Sequence, residues 1–167
     1  MFKNKIAVVT GAGGTLCSEI AINLAKEGAK VYLIGRTEEK LVKTYDKIKA
    51  EGGDAVVYAC DVTDKEAVAA LGKEVEKAGG CDFLINGAGG NNVKAMPTIT
   101  KFDPRELSGE LEEGARGLYD IDIEAFRSVL DINIMGTVIP TMEFAKQMVK
   151  KGGGSIINFS SMNNYCP

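Results

Sequence analysis

The residues of this chain that could do chemistry sit in short glycine-rich or polar stretches, each directly after an apolar run. In "VTGAGGTLCSEIA", Val9 to Ala21, a glycine turn leads into a helix-forming run. Such a turn can bring backbone N–H groups of Gly11, Gly13, Gly14, Thr15 and Leu16 against a pyrophosphate, at the positive end of a helix dipole. It can equally be no more than a tight turn. No Lys-Ser/Thr pair follows, so it is not a Walker A loop, and Leu16 stands where the plain GxGxxG pattern needs its last glycine. In "CDVTD", the carboxylate of Asp61, with Val62 beside it, could accept a hydrogen bond from an adenine amino group. The alternative is a carboxylate near Thr63 at a helix N-terminus, where the dipole favours it. In "LINGAGG", the small residues Gly87, Ala88 and Gly89 would let the backbone approach a ribose, and Asn86 could tie neighbouring loops together; a bare tight turn reads the same way. In "VLDINIMGT", Asn133 stands in a strongly apolar helix. A buried amide left unpaired costs on the order of 1–3 kcal/mol, so Asn133 either bonds nearby backbone or holds a water near a reacting group. Last, "SIINFSS" delivers the hydroxyl of Ser161 to the rim of whatever sheet Ile156 and Ile157 join.

The elements that must position these groups alternate between apolar strands and amphipathic helices. "KIAVVTG" is a first strand, and Leu16, Ile20 and Leu24 then recur at helical spacing until Gly28. "KVYLIGR" is a second strand; Thr37 is an N-cap, and Leu41, Tyr45 and Ile48 share a helix face. "AVVYACD" is a third, after which Thr63 and Glu66 form a capping-box pattern and Val68, Leu71 and Val75 line one face. "DFLINGAGG" is a fourth strand and its turn. A less regular stretch runs from Asn91 to about Asp120, and a helix begins near Asp122 with Phe126, Val129 and Leu130 inward. Gly136 and Pro140 predict a kink in it, Gly152 to Gly154 end it, and "SIINFS" is strand five. Apolar strands in strict βα alternation predict an α/β fold: a Rossmann-type doubly wound parallel sheet with helices on both faces, in the order 3-2-1-4-5. Ligands of such sheets bind beyond the carboxyl ends of the strands, where the glycine turns and Ser161 all fall.

Length and composition narrow the possibilities. The chain has 167 residues, 45% of them hydrophobic and 26% charged, which suits a single domain over residues 1–167. A net charge of -3 and a pI near 5.2 give no support to nucleic-acid or anionic-membrane binding. No apolar run approaches the roughly 20 residues of a membrane span, and "IAVV" is too short for a signal core, so a cytoplasmic protein is expected. Cys17, Cys60, Cys81 and Cys166 form no CxxC pair and read as small buried residues. The chain contains no histidine, which excludes a serine–histidine triad and a mixed cysteine–histidine zinc set; no metal site is expected.

In order along the chain, Thr10-Gly11, Asp61-Val62, Asn86-Gly87-Ala88-Gly89, Asn133 and Ser161 resemble the pattern of the short-chain dehydrogenase/reductase family. The resemblance runs over essentially the whole chain. "TGAGGTLCSE", "LINGAGGN", "DINIMGTVIPT", "FAKQMV" and "GGGSIINFSSMN" resemble more narrowly the branch described as D-mannonate oxidoreductase or fructuronate reductase. The chain departs from the family pattern at Thr15 and Cys17, which replace its second and third glycines, and at Gly87, which replaces its second asparagine. The resemblance implies a nicotinamide cofactor and hydride transfer between it and a sugar-acid alcohol or ketone. Gly35 stands where an acid would select NAD, and Arg36 follows, so the chain leans to NADP.

The resemblance also implies roles. Ser161 would bond the reacting oxygen, and Asn133 would hold a water of the proton relay. A tyrosine about a dozen residues after the serine would be the general acid/base, and a lysine in Tyr-x-x-x-Lys would lower its pKa. Neither is present: Tyr165 is too close to Ser161 and no lysine follows it. The chain is therefore expected to be the amino-terminal part of an enzyme, inactive alone, with strand five an uncovered edge. The complete protein is expected to be a homo-oligomer. Toward the substrate, Asn91, Lys94, Met162 and Asn163 are the candidates, Lys94 for a carboxylate. "TKFDPRELSGELEEGARGLYD" is long enough for a lid or binding loop. A nucleotide-binding module without catalysis, or a reductase of another polyol, ketone or acyl substrate, would read similarly.

Overall fold

The computed structural model describes residues 1–161. Five parallel strands lie in the order β3-β2-β1-β4-β5: β1 (Ile6–Thr10), β2 (Lys30–Gly35), β3 (Asp54–Ala59), β4 (Phe83–Asn86) and β5 (Ser155–Asn158). This is the order expected from the sequence. The helices between them are α1 (Thr15–Lys26), α2 (Glu38–Ala50) and α3 (Lys65–Lys77). A short α4 (Arg105–Ser108) follows β4, and α5 (Ile123–Leu130) and α6 (Gly136–Lys150) lead to β5.

The two-residue period of the strands divides the core. From β1, Ala7 and Val9 face α1 and α2, together with Val31 and Leu33 of β2 and Ile85 of β4. Ile6 and Val8 face the other way, with Tyr32, Ile34 and Leu84, against Val68, Leu71 and Val75 of α3 and Phe144 and Met148 of α6. β1 is buried along its whole length because both of its faces are covered. Burying such aliphatic side chains contributes about 1.5–3 kcal/mol each, which is why the central strands are the most apolar.

Several local expectations are corrected. The N-cap of α3 is Asp64, whose Oδ1 accepts from Ala67 N–H at 3.0 Å, and not Thr63; the Thr63 hydroxyl is instead taken by Asp61. Thr37 sits at the N-cap of α2 without a side-chain cap bond. Phe126 and Leu130 do not point into the core; they remain 43% and 47% exposed on the outer face of α5, and Ala125 is the residue buried there. The helical irregularity lies one turn before Pro140. A π turn, Asp131–Met135, separates α5 from α6, and Gly136 just after it packs close to Val62. An extra residue in the i→i−4 ladder re-aims the helix, so the π turn supplies the bend that proline suggested.

Candidate functional site

The carboxyl ends of β1 and β4 meet at the middle of the sheet and bring together mostly backbone. Thr10, the last residue of β1, is buried; its Oγ1 accepts from the N–H groups of Gly87 at 3.0 Å and Ala88 at 3.1 Å. This pins the β4 loop across the start of the glycine turn. Gly11 has φ +67°, and a Cβ there would stand 2.6 Å from the Gly87 carbonyl oxygen, so conformation and close approach both demand glycine. Farther round the turn, Ala12 N–H donates to Ile34 O at 3.1 Å and Thr44 of α2 donates its hydroxyl to Ala12 O at 3.0 Å. Gly14 is the N-cap of α1, with no side-chain cap bond and no acidic residue in the following turn. The positive end of α1, at Thr15 and Leu16, is thus left for an anion rather than capped by the chain itself.

These glycines line a cavity of ≈ 220 Å³ with Gly35, Arg36, Cys60, Val62, Gly87, Ala88, Gly89 and Ile132. Arg36 also lines, with Thr37 and Lys40, a smaller recess of ≈ 170 Å³ beside Gly13 and Gly14. Among the described residues no carboxylate lines either recess. Asp61 is turned aside: its Oδ1 accepts from Thr63 N–H at 2.9 Å and from the Thr63 hydroxyl at 2.7 Å. The Thr63 N–H bond lowers its pKa; burial opposes, while the Thr63 hydroxyl and the Arg36 charge add to the lowering. Cys60 lines the cleft, and burial, then Asp61 and Asp64, push its thiol up to about 11. Sequence reasoning read Cys60 only as a small buried residue and named Thr10 only as part of the family pattern. The alternation of an extended backbone, carried past β3, would have put Cys60 and Val62 on one side and Asp61 on the other.

Gly87 to Gly89 form the wall between this cleft and a larger cavity of ≈ 950 Å³. Phe126, Leu130, Asn133 and Thr137 line it from the helical side, Phe159 and Ser161 from the end of β5. The side chain of Asn133 pairs with the Gly90 peptide: Oδ1 accepts from Gly90 N–H at 3.3 Å and Nδ2 donates to Gly90 O at 2.7 Å and Val129 O at 2.8 Å. Asn133 thus fastens the π turn to the β4 loop. Asn86 is buried, and its Nδ2 donates to Thr141 Oγ1 and Asn158 Oδ1, each at 2.9 Å, tying β4 to α6 and β5. Its Oδ1 is buried without a partner among the described residues.

Two of the substrate candidates are placed off the cavity walls. Asn91 is exposed and its amide bonds Met96 Sδ, while Lys94 is exposed and gives its carbonyl to Asp122 N–H at 3.1 Å. Met162 and Asn163 lie outside the described residues. The long connection is held by its own contacts: Arg116 donates to Val93 O at 2.6 Å and Glu106 accepts from Leu118 N–H at 2.9 Å.

The sequence model of one family, short chain dehydrogenase, matches residues 5–167. The chain belongs to that family. An uncharacterized oxidoreductase of Haemophilus influenzae is 39% identical over 166 residues, which are 99% of this chain and 56% of the relative. One of Bacillus subtilis is 37% identical, covering 98% of this chain and 56% of the relative. A crystal structure from Haemophilus influenzae, described as a D-mannonate oxidoreductase with bound NAD, superposes with a TM-score of 0.90 at 38% identity, over 99% of this chain and 57% of the other. A metagenomic short-chain oxidoreductase in complex with NADP gives a TM-score of 0.79 at 29% identity, over 96% of this chain and 63% of the other. The chain spans a little over half the length of the curated relatives it matches. Among the described residues no helix is long and apolar enough to cross a membrane.

Proposed function

We propose that the cleft between the glycine turn and the β4 loop binds a nicotinamide dinucleotide, and that the chain carries this half of an NAD(P)-dependent oxidoreductase acting on a sugar-acid alcohol or ketone. One observation carries the reading: the uncapped N-terminus of α1 and the Thr10-pinned loop Gly87–Gly89 form adjoining walls of a cleft, and the other side of that loop lines the cavity holding Asn133 and Ser161. The glycines leave a cradle that a Cβ at Gly11 would fill, which fits a pyrophosphate laid on backbone. Bound there, the nicotinamide would give or take the hydride. In this chain Ser161 would hold the reacting oxygen, Asn133 would keep the wall between the two cavities in place, and Cys60 and Val62 would flank the adenine more closely than Asp61. The sugar-acid reading rests on the likeness to the D-mannonate oxidoreductase structure. Lys94 and Asn91 would join a substrate only if the loop carrying them folds toward the large cavity. No Tyr-x-x-x-Lys follows Ser161 in these 167 residues, so they are expected to bind the dinucleotide without turning over substrate. Homo-oligomerisation and a cytoplasmic location remain part of this reading.

Arg36 gives the preference for NADP. It is exposed at the end of β2, beside Lys40 and Thr37, with no acid among the described residues that line the recess. Titration with NADPH and NADH tests this. Arg36→Ala is expected to weaken NADPH binding by about tenfold, the worth of one charge-assisted phosphate contact, and to leave NADH unchanged. Equal losses for both, or none, would remove the NADP preference. A panel of aldonates and keto-uronates on the full-length protein tests the substrate class; turnover confined to other polyols or acyl substrates would replace it.

A further inference from the structure

Cys17 and Gly87 approach one another from opposite sides of the glycine turn. Cys17, in the opening turn of α1, is buried, and a Cβ built on Gly87 would run into its Sγ. The other neighbours of that Cβ would be Thr10 O at 3.2 Å and Phe159 Cδ2 at 3.4 Å, contacts a methyl can meet with small shifts. Gly87 is not among the glycines with positive φ. Its backbone angle does not require glycine, and of the nearest neighbours the thiol is the one that excludes a side chain outright; Thr10 O would have to give by a few tenths of an ångström.

We propose that Cys17 is a positioning residue of the dinucleotide cleft: its Sγ fills the space beneath the β4 loop, dictates glycine at position 87, and seats Gly87–Gly89 against Gly11. The pair accounts together for two departures from the pattern the chain resembles. Cys17 adds volume on α1 where a glycine is expected, and Gly87 removes it from the loop where an asparagine is expected. Burial pushes the Cys17 thiol above its ordinary pKa, in keeping with a neutral apolar filler. The consequence for ligand binding rests on the dinucleotide reading above; the steric coupling does not.

The test is a double-mutant cycle on the full chain, with Cys17→Ala, Gly87→Ala and the double variant. Melting midpoints and dissociation constants for NADH and NADPH are read well below the midpoints. Gly87→Ala alone, forced against the thiol, should weaken binding about tenfold, and Cys17→Ala alone, leaving a void under the loop, about threefold. In the double variant the new methyl occupies the vacated space, and binding should return to within about twofold of the wild type. Losses that simply multiply would overturn the proposal. So would a cycle in which midpoints move and dissociation constants do not, because the pair would then be structural only. If Gly87→Ala fails to fold, a folded, binding double variant is the expected result and an unfolded one overturns the proposal. A wild type that binds neither NADH nor NADPH would remove the dinucleotide reading and with it the positioning role, while the midpoints would still decide the steric coupling.

Discussion

A single hydroxyl holds the two halves of the cleft together. Thr10 Oγ1 accepts two N–H groups of a loop 77 and 78 residues away and has Ile85 O as its own acceptor at 3.4 Å. Thr10→Val keeps the shape and removes the acceptor, leaving two part-buried amides unpaired. That should cost about 2 kcal/mol of stability and weaken dinucleotide binding, whereas Thr10→Ser should keep most of both. Urea denaturation of the three proteins checks it; a Val variant as stable as the Ser variant would show that the loop is held by other contacts. Gly11 was legible in the sequence because a left-handed φ and a close backbone approach exclude every other residue there. Thr10, Cys17 and Cys60 were not, because what makes them matter is a partner on another element. Nothing local to "VVTG" or "LCSE" says that the β4 loop will lie across it.

At the scale of elements, the strands and the inward faces of α2 and α3 were legible because burial on both sides of a sheet writes an uninterrupted apolar run and a 3.6-residue stripe. The α5–α6 connection was not. Phe126 and Leu130 have the spacing of core residues, but the π turn and the direction of α5 leave them on the outer wall of the large cavity. The amino-terminal edge of the sheet shows a second connection hidden from local reading. Asp82, only 4% exposed, accepts from Lys151 Nζ at 2.7 Å, Ile6 N–H at 2.9 Å and Lys5 Nζ at 3.1 Å, so one carboxylate ties β1 and β4 to the end of α6. Burial alone would raise its pKa; the bonds from Lys151, Ile6 and Lys5 outweigh it and the net shift is downward. The folded state therefore holds this proton less tightly than the unfolded chain. The stabilisation is full above the ordinary carboxylate value and is lost as the pH falls through the lowered one. The urea midpoint should decline as the pH falls below about 5, and Asp82→Asn should flatten part of that slope while destabilising the protein at neutral pH. An unchanged slope in Asp82→Asn would place the acid sensitivity on other carboxylates.

Across the whole molecule, one sheet with a core on each face ends in two adjoining cavities, and the loop Gly87–Gly89 belongs to both. A ligand lodged against that loop touches residues pinned by β1 through Thr10 and by the π turn through Asn133. It can therefore bind only when both halves of the core are folded. Binding to the folded state alone stabilises by mass action, by about 2.7 kcal/mol at a hundredfold excess over the dissociation constant. For a domain of this size each kcal/mol raises the melting midpoint by roughly 2–4 °C, so saturating dinucleotide should raise it by about 5–10 °C. NADPH should give the larger rise at equal concentration if Arg36 holds its extra phosphate. The rise should shrink in Thr10→Val, where the loop is no longer pinned, and the NADPH excess should vanish in Arg36→Ala. A midpoint that neither dinucleotide moves would mean that the glycine turn and the β4 loop, close as they lie, do not form a cleft this ligand can use.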